Sequence, residues 1–169
     1  MRTDSERRLT RRGEQQARAA GIAIEHMAVA FDEVLYSPKV RARATAELAA
    51  EGWSERQRAL LREHPPLAGG FDVPQALDAL LGVPAQDGRL LLVGHEPDLS
   101  RLVAGLSGAR IDLKKGGIAV VRLIEKEGPS SPAFGRPRQP LESGAGGELT
   151  VVMRPRELAL IAGVPIDRD

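Results

Sequence analysis

The sequence contains no cysteine, which excludes disulfide bonds, thiolate nucleophiles and cysteine-ligated metals. Its three histidines, His26, His64 and His95, are scattered without metal-ligand spacing, so we predict neither a metal site nor a cofactor. Aromatic residues make up only 3% of the chain, which disfavours base stacking with nucleic acids and predicts an aliphatic core. No apolar run approaches the roughly 20 residues that a membrane-spanning helix needs.

An excess of charge of either sign is also missing. The formal net charge is +1, which argues against general binding to nucleic acids or membrane surfaces. Charged residues occur throughout residues 1–16, where a signal peptide would be apolar, so we expect a cytoplasmic protein. Among the cations arginine greatly outnumbers lysine, and the planar guanidinium suits phosphate and carboxylate partners.

The order of sequence patterns predicts a single α/β domain over residues 1–169. Strand and helix patterns alternate, which indicates a layered, mostly parallel sheet with helices on both faces. The last two strands, 117–123 and 148–153, have no crossover helix between them and should form an antiparallel hairpin. We expect residues 1–8 to be loose, and residues 126–147, dominated by Gly, Pro and Ser, to be a flexible connection.

Two segments near the N-terminus combine a helix cap with apolar periodicity. The first opens at Thr10 as N-cap, and the second opens at Ser37 with Pro38 in the first helical turn. Apolar residues at spacings of three and four predict the buried stripes Ala17, Ala20, Ile24 and Met27, then Val40, Ala44 and Leu48. Residues 53–72, by contrast, show no regular pattern.

The segment around His95 is the most informative part of the chain. An apolar strand, Leu90 to Val93, runs into Gly94 and presents His95 at its carboxyl end. Ligands bind at such strand ends in α/β sheets. A histidine there can donate to an anion or transfer a proton near neutral pH. The alternative for a lone histidine in this position is a structural hydrogen bond to the backbone.

A second candidate segment follows the strand 31–36, so it lies at the same sheet edge as His95 if the strands are parallel. Arg41 falls in the first turn of the following helix, where its positive charge opposes the helix dipole. An arginine at this position does not stabilise the helix, but together with the N–H groups of the first turn it is suited to binding an anion. Thr45 is four residues on and shares the face of Arg41, whereas Lys39 and Arg43 lie on other faces. The alternative for Arg41 is an ordinary surface charge.

Three motifs follow one another as they do in the histidine phosphatase superfamily, which the chain therefore resembles. They are Leu9-Thr10-x-x-Gly13-x-x-Gln16-Ala17, Ser37-Pro38-x-x-Arg41-Ala42-x-x-Thr45-Ala46 and Val93-Gly94-His95-Glu96-Pro97. The short chain and the late strand that follows Lys114-Lys115-Gly116-Gly117 resemble the small phosphohistidine phosphatase branch. The resemblance covers residues 9 to about 125 and, more weakly, residues 148–160.

The resemblance implies a phosphate pocket and a two-step phosphoryl transfer through a phosphoenzyme. Arg41 matches the arginine that clamps the phosphoryl oxygens, and His95 matches the histidine that stabilises the group in transit. Thr45 and Ser37 join them as implied phosphate-binding residues, and Glu96 is a candidate general acid. The implied substrates are phosphorylated protein histidines or small phosphorylated molecules.

The chain departs from the family at the nucleophile. The family begins with a strand that ends in Arg-His-Gly and lies inside the sheet beside the strand matching residues 31–36. Only residues 1–8 precede Leu9 here, and they contain neither a histidine nor an apolar strand, so no nucleophile is found. We expect that Met1 is an internal methionine of a longer gene. The alternatives are a non-catalytic phosphate-binding relative and a sugar-phosphate or phosphoglycerate-type phosphatase.

Overall fold

The elements alternate along the chain much as the sequence patterns predict. The computed structural model describes residues 4–83, 87–123 and 146–166. Its helices are α1 Arg11–His26, α2 Val40–Ala50, α3 Glu55–Arg58, α4 Val73–Leu81, α5 Asp98–Ser107 and α6 Pro155–Ala162. Its strands are β1 Glu33–Tyr36, β2 Leu61–Glu63, β3 Leu90–Val93, β4 Ile118–Leu123 and β5 Gly147–Met153. None of the helices described is long and apolar enough to cross a membrane.

The strands form two sheets. The first is parallel, with the order β2-β1-β3, and its register pairs Val34 with Leu61 on one side and with Leu91 on the other. The second is the predicted antiparallel pair, β4 with β5, in which Ile118 lies opposite Met153. This confirms the predicted α/β class. Because β1 is paired on both edges, a strand beside it, as the resemblance implies, has no open place in this sheet.

Alternate side chains of β1 point into two separate hydrophobic clusters, one on each face of the parallel sheet. Val34 packs with Ile24 of α1, Ala50 of α2 and Trp53. Its neighbour Leu35 packs on the opposite face, in a cluster with Leu67, Phe71, Ala76 and Leu102. Successive side chains of a strand point to opposite faces, so helices cover both faces as predicted.

The helix α1 begins as predicted. The buried residues predicted for α1 were wrong in part, and those predicted for α2 were mostly wrong. The Thr10 hydroxyl accepts the Gly13 N–H at 3.1 Å and caps α1. Met27 lies beyond the end of α1 and is 36% exposed. In α2 the buried residues are Ala42, Ala46 and Ala50, whereas Val40 is 41% exposed. The helices approach so closely that only small side chains fit between them.

Residues 53–72 are more regular than predicted. They contain α3, β2 and a short 3-10 turn, Pro65–Ala68. The strand β2 escaped prediction because it is three residues long and carries exposed Arg62 and Glu63. Charged side chains are typical of an edge strand.

The two segments expected to be loose fall partly outside the described residues. Asp4–Glu6, within residues 1–8, form a 3-10 turn that contacts α2, and residues 1–3 lie outside the described ranges. Of the predicted connection 126–147, residues 126–145 lie outside the described ranges, and Gly147 begins β5.

The contact between α1 and α2 makes Gly21 a sensitive position. A Cβ added to Gly21 lies 1.8 Å from the Ala49 carbonyl oxygen, so the backbones of the two helices must separate. We expect Gly21→Ala to lower the free energy of unfolding by about 1–3 kcal/mol, the range for overpacking. Urea denaturation measures this. Gly52→Ala is the matched control, since a Cβ there meets nothing within 4 Å. Equal stability of the two variants would contradict the close helix contact.

Candidate functional site

Two predicted site residues meet where β1 and β3 end. The parallel register pairs Tyr36 with Val93, and the Ser37 N–H continues it by donating to the Val93 carbonyl at 2.9 Å. The next side chains therefore come together at one sheet edge. The His95 Nε2 lies 2.7 Å from the Ser37 Oγ, although the residues are 58 positions apart.

Ser37 is not the helix cap that the sequence predicts. The helix α2 begins at Val40, and its N-cap is Lys39, whose side chain makes no capping hydrogen bond. Ser37 is instead fully buried, and its Oγ accepts the Lys39 N–H at 3.3 Å. A serine nucleophile must reach its substrate, so burial excludes a serine-hydrolase role for the pair formed by Ser37 and His95. Its predicted role as a phosphate-binding residue stays a prediction.

Arg41 and Thr45 lie on the helix that leads away from this edge. Arg41 is half-buried in the first turn of α2, and this turn contains no acidic residue. The helix α2 contacts β3. The Thr45 hydroxyl donates to the Arg41 carbonyl at 2.8 Å, so its proton is used within the helix. Arg41 thus shares the sheet edge of His95, as predicted, while the roles of Arg41 and Thr45 in phosphate binding stay predictions.

The segment after β2 covers the same edge. The Leu67 side chain lies 3.4 Å from the position of a Cβ built on Gly94, which is van der Waals contact distance, so this segment packs against the strand end. The Asp98 carboxylate at the start of α5 accepts the Gly70 N–H at 2.7 Å and fixes the segment. The covering segment is therefore held against the strand end at Gly94.

His64 stands at the same sheet edge, a position for which the sequence gives no signal. It follows β2, donates its backbone N–H to the Tyr36 carbonyl at 2.8 Å, and so stands at the same sheet edge. Its ring is half-buried and meets the Phe71 ring edge-on, with centroids 5.8 Å apart. The position was missed because it depends on β2, which has almost no sequence signal.

An open cleft of about 620 Å³ begins at Glu96, the residue that follows His95 in the chain. It is lined by Glu96, Pro97, Asp112, Leu113, Lys114 and Lys115. Ser100 fixes one wall, because its hydroxyl donates to Glu96 Oε2 at 2.6 Å and accepts the Leu113 N–H at 3.2 Å. Lys114 pairs with Asp112. Glu96, the candidate acid, therefore stands in a cleft that holds charges of both signs.

Two other residues considered from the sequence have structural partners elsewhere. His26 ends α1, and its Nδ1 lies 2.9 Å from the Ile161 carbonyl oxygen. Arg43 pairs with Glu63, whose hydrogen bond raises the pKa of that guanidinium, and lies over the Tyr36 ring at 5.9 Å. Within the described ranges, no group of three or more acidic, histidine or cysteine side chains could hold a metal ion.

Two comparisons with known sequences bear on this arrangement. The family model described as histidine phosphatase superfamily (branch 1) matches residues 1–65. An uncharacterized protein of Picosynechococcus sp. is 34% identical over 128 residues, which cover 70% of this chain and 73% of the relative.

Solved structures with the same fold carry phosphatase names. A putative phosphohistidine phosphatase SixA from Nakamurella multipartitia is 25% identical, with a TM-score of 0.67 over 92% of this chain and 88% of that one. A protein histidine phosphatase SixA complexed with tungstate is also 25% identical, with a TM-score of 0.69 over 94% of this chain and 90% of that one. A putative phosphohistidine phosphatase SixA from Agrobacterium tumefaciens shares the fold. It is 18% identical, with a TM-score of 0.57 over 76% of this chain and 87% of that one.

Proposed function

The chain belongs to the histidine phosphatase superfamily, in its small SixA-like branch, and we propose that its phosphoryl substrate is a phosphohistidine. The observation that carries the proposal is the contact of His95 with Ser37 at the ends of β3 and β1, beside the helix that bears Arg41. The tungstate bound to one of the similar structures supports an oxyanion as the ligand of this site.

Each residue at this edge has a chemical task in phosphoryl binding. The Arg41 guanidinium presents a planar fork that can hydrogen-bond two phosphoryl oxygens at once. The N–H groups at the start of α2 add partial positive charge at the same place. His95 donates to a third oxygen while the group is in transit. Catalysis of phosphoryl transfer rests largely on such positioning and charge stabilisation.

The proposed reaction has two displacements at phosphorus. In the first, the P–N bond to the substrate histidine breaks, a P–N bond to an enzyme histidine forms, and the substrate imidazole leaves with a proton. In the second, water attacks phosphorus, the enzyme histidine is released, and phosphate leaves. Glu96 in the adjoining cleft is the proposed source of the proton for the leaving imidazole.

The nucleophile of the first displacement is not assigned to any histidine of the chain. His26 lies at the end of α1 against Ile161, His64 meets Phe71, and His95 is held by Ser37. These contacts favour a second candidate function, in which the chain binds a phosphorylated partner through Arg41 and His95 without turnover. A sugar-phosphate or phosphoglycerate-type substrate remains an alternative for the same pocket.

We expect the 169-residue chain to bind tungstate and to release little phosphate from a phosphohistidine peptide, because no histidine is placed as nucleophile. Calorimetry measures the binding, phosphate release measures the turnover, and mass spectrometry after treatment with phosphoramidate maps any phosphohistidine. His95→Gln and His64→Gln are matched variants. Binding of tungstate without turnover supports the non-catalytic function. Absence of binding contradicts both the phosphatase function and the non-catalytic function. Turnover with stoichiometric phosphorylation of His95 would show that His95 is itself the nucleophile.

A further inference from the structure

Ser37 stands out among the described residues as a polar side chain with no exposed surface. Its backbone is fixed, because its N–H donates to the Val93 carbonyl at 2.9 Å. Its Oγ has two contacts in the described residues, the Lys39 N–H at 3.3 Å and the His95 Nε2 at 2.7 Å. Water cannot replace either partner at a buried atom, so these two contacts decide where the hydroxyl proton goes.

The proton of the Ser37 hydroxyl has one acceptor among these contacts. The Lys39 N–H is a donor, so it can only occupy a lone pair of the serine oxygen. The remaining partner, the His95 Nε2, must therefore accept the hydroxyl proton. The opposite arrangement, in which Nε2–H donates to the serine, leaves a buried O–H without an acceptor. Buried donors without a partner are costly, which disfavours that arrangement.

We infer that Ser37 is a positioning residue that holds His95 as the neutral tautomer with its proton on Nδ1. A neutral imidazole carries one N–H, and the hydrogen bond made by one nitrogen decides which nitrogen is protonated. His95 then meets a phosphoryl oxygen as an Nδ1–H donor. The positive charge of the pocket comes from Arg41 and the start of α2. The use of Nδ1–H toward phosphoryl oxygens rests on the proposed function, whereas the tautomer rests on the contacts of Ser37 alone.

The tautomer can be read directly in the unmodified protein. Long-range ¹H–¹⁵N correlation spectra at about pH 8.5, where an imidazole of ordinary pKa, about 6.5, is neutral, distinguish a protonated ring nitrogen from an unprotonated one. We expect the His95 Nδ1 to be protonated and Nε2 to be unprotonated. If Nε2 is protonated and Nδ1 is unprotonated in the unmodified chain, the inference is overturned, whatever the variants show.

Variants then test whether Ser37 is the cause. Ser37→Ala should move His95 toward a mixture of tautomers, Ser37→Thr should restore the Nδ1–H form, and Ser54→Ala, which removes the exposed cap of α3, should leave it unchanged. An unchanged His95 spectrum in a folded Ser37→Ala protein overturns the positioning role.

The tautomer of His95 and the binding of an oxyanion can be tested separately. Tungstate titration of the same samples should show a loss of affinity of about two- to tenfold in Ser37→Ala, the range for one hydrogen bond, and recovery in Ser37→Thr. If the unmodified chain has the expected tautomer but binds no tungstate, the proposed function falls and the tautomer stands. If it binds tungstate with Nε2 protonated, the inference falls and the proposed function stands.

Discussion

Replacing Arg41 with alanine is expected to weaken tungstate or phosphate binding by about 1.5–3 kcal/mol, the range for charge-assisted hydrogen bonds. This corresponds to a loss of affinity of about 10- to 150-fold. The reason is local: Arg41 is half-buried in the first turn of α2, at the sheet edge that carries His95. Isothermal titration calorimetry at constant ionic strength measures the effect.

Arg43→Ala is the matched control for this variant. It removes one charge from the same helix, but Arg43 is exposed, pairs with Glu63 and lies over the Tyr36 ring. A general loss of positive charge weakens binding equally in both variants, whereas a specific contact affects only Arg41→Ala. Equal affinities of the two variants would contradict the phosphate role of Arg41, and unchanged affinity in Arg41→Ala would remove it from the site.

The local features that the sequence could reveal are those whose partners lie nearby in the chain. Thr10 caps α1 through Gly13, three residues away, and its role as N-cap was predicted correctly. The apolar strand β3 that ends before His95 was also predicted, because four consecutive aliphatic residues bounded by glycine need no distant contact to be recognised.

Long-range partners account for the failures. Ser37 before a proline has the local signature of a helix cap, yet its hydroxyl is used by His95, 58 residues away. The predicted stripe of α2 was wrong because the close approach of α1 admits alanine and excludes larger side chains, which no pattern within α2 reveals. The position of His64 could not be predicted, because it follows from pairing of β2 with β1. Each error concerns an interaction between segments rather than the preference of a segment.

The outer edge of β3 is the feature with the largest consequence for stability. In the part of the chain that the structure describes, no strand pairs with this edge, and all four residues, Leu90 to Val93, are only half-buried. Edge strands normally carry charged residues, as β2 does with Arg62 and Glu63, whereas a continuous aliphatic run is typical of an interior parallel strand. Ile118 of β4 packs in the cluster that contains Leu91, so the second sheet lies close by without pairing.

We therefore expect that the 169-residue chain is marginally stable or prone to association, and that an added strand stabilises it. The test protein carries an apolar strand ending in Arg-His-Gly ahead of Met1. Pairing with β3 would bury aliphatic surface at about 25 cal/mol per Å², offset by the entropy of ordering the added residues. We expect a net gain of about 2–4 kcal/mol, which corresponds to a rise of about 5–15 °C in the midpoint of thermal unfolding for a protein of this size.

Two matched extensions separate packing from chemistry. An extension of equal length with polar residues in place of the apolar ones should give no increase in the unfolding midpoint, because it has nothing to bury against β3. An extension ending in Arg-Gln-Gly should stabilise as much as the Arg-His-Gly version but release no phosphate from a phosphohistidine peptide, since only the histidine can be phosphorylated. If instead the 169-residue chain is monomeric and unfolds cooperatively well above about 50 °C, within the roughly 45–65 °C range of ordinary domains, and no extension raises that midpoint, the β3 edge does not need a further strand. In that case the non-catalytic phosphate-binding function is preferred, because the fold is complete around Arg41 and His95 without a strand that could supply the nucleophile.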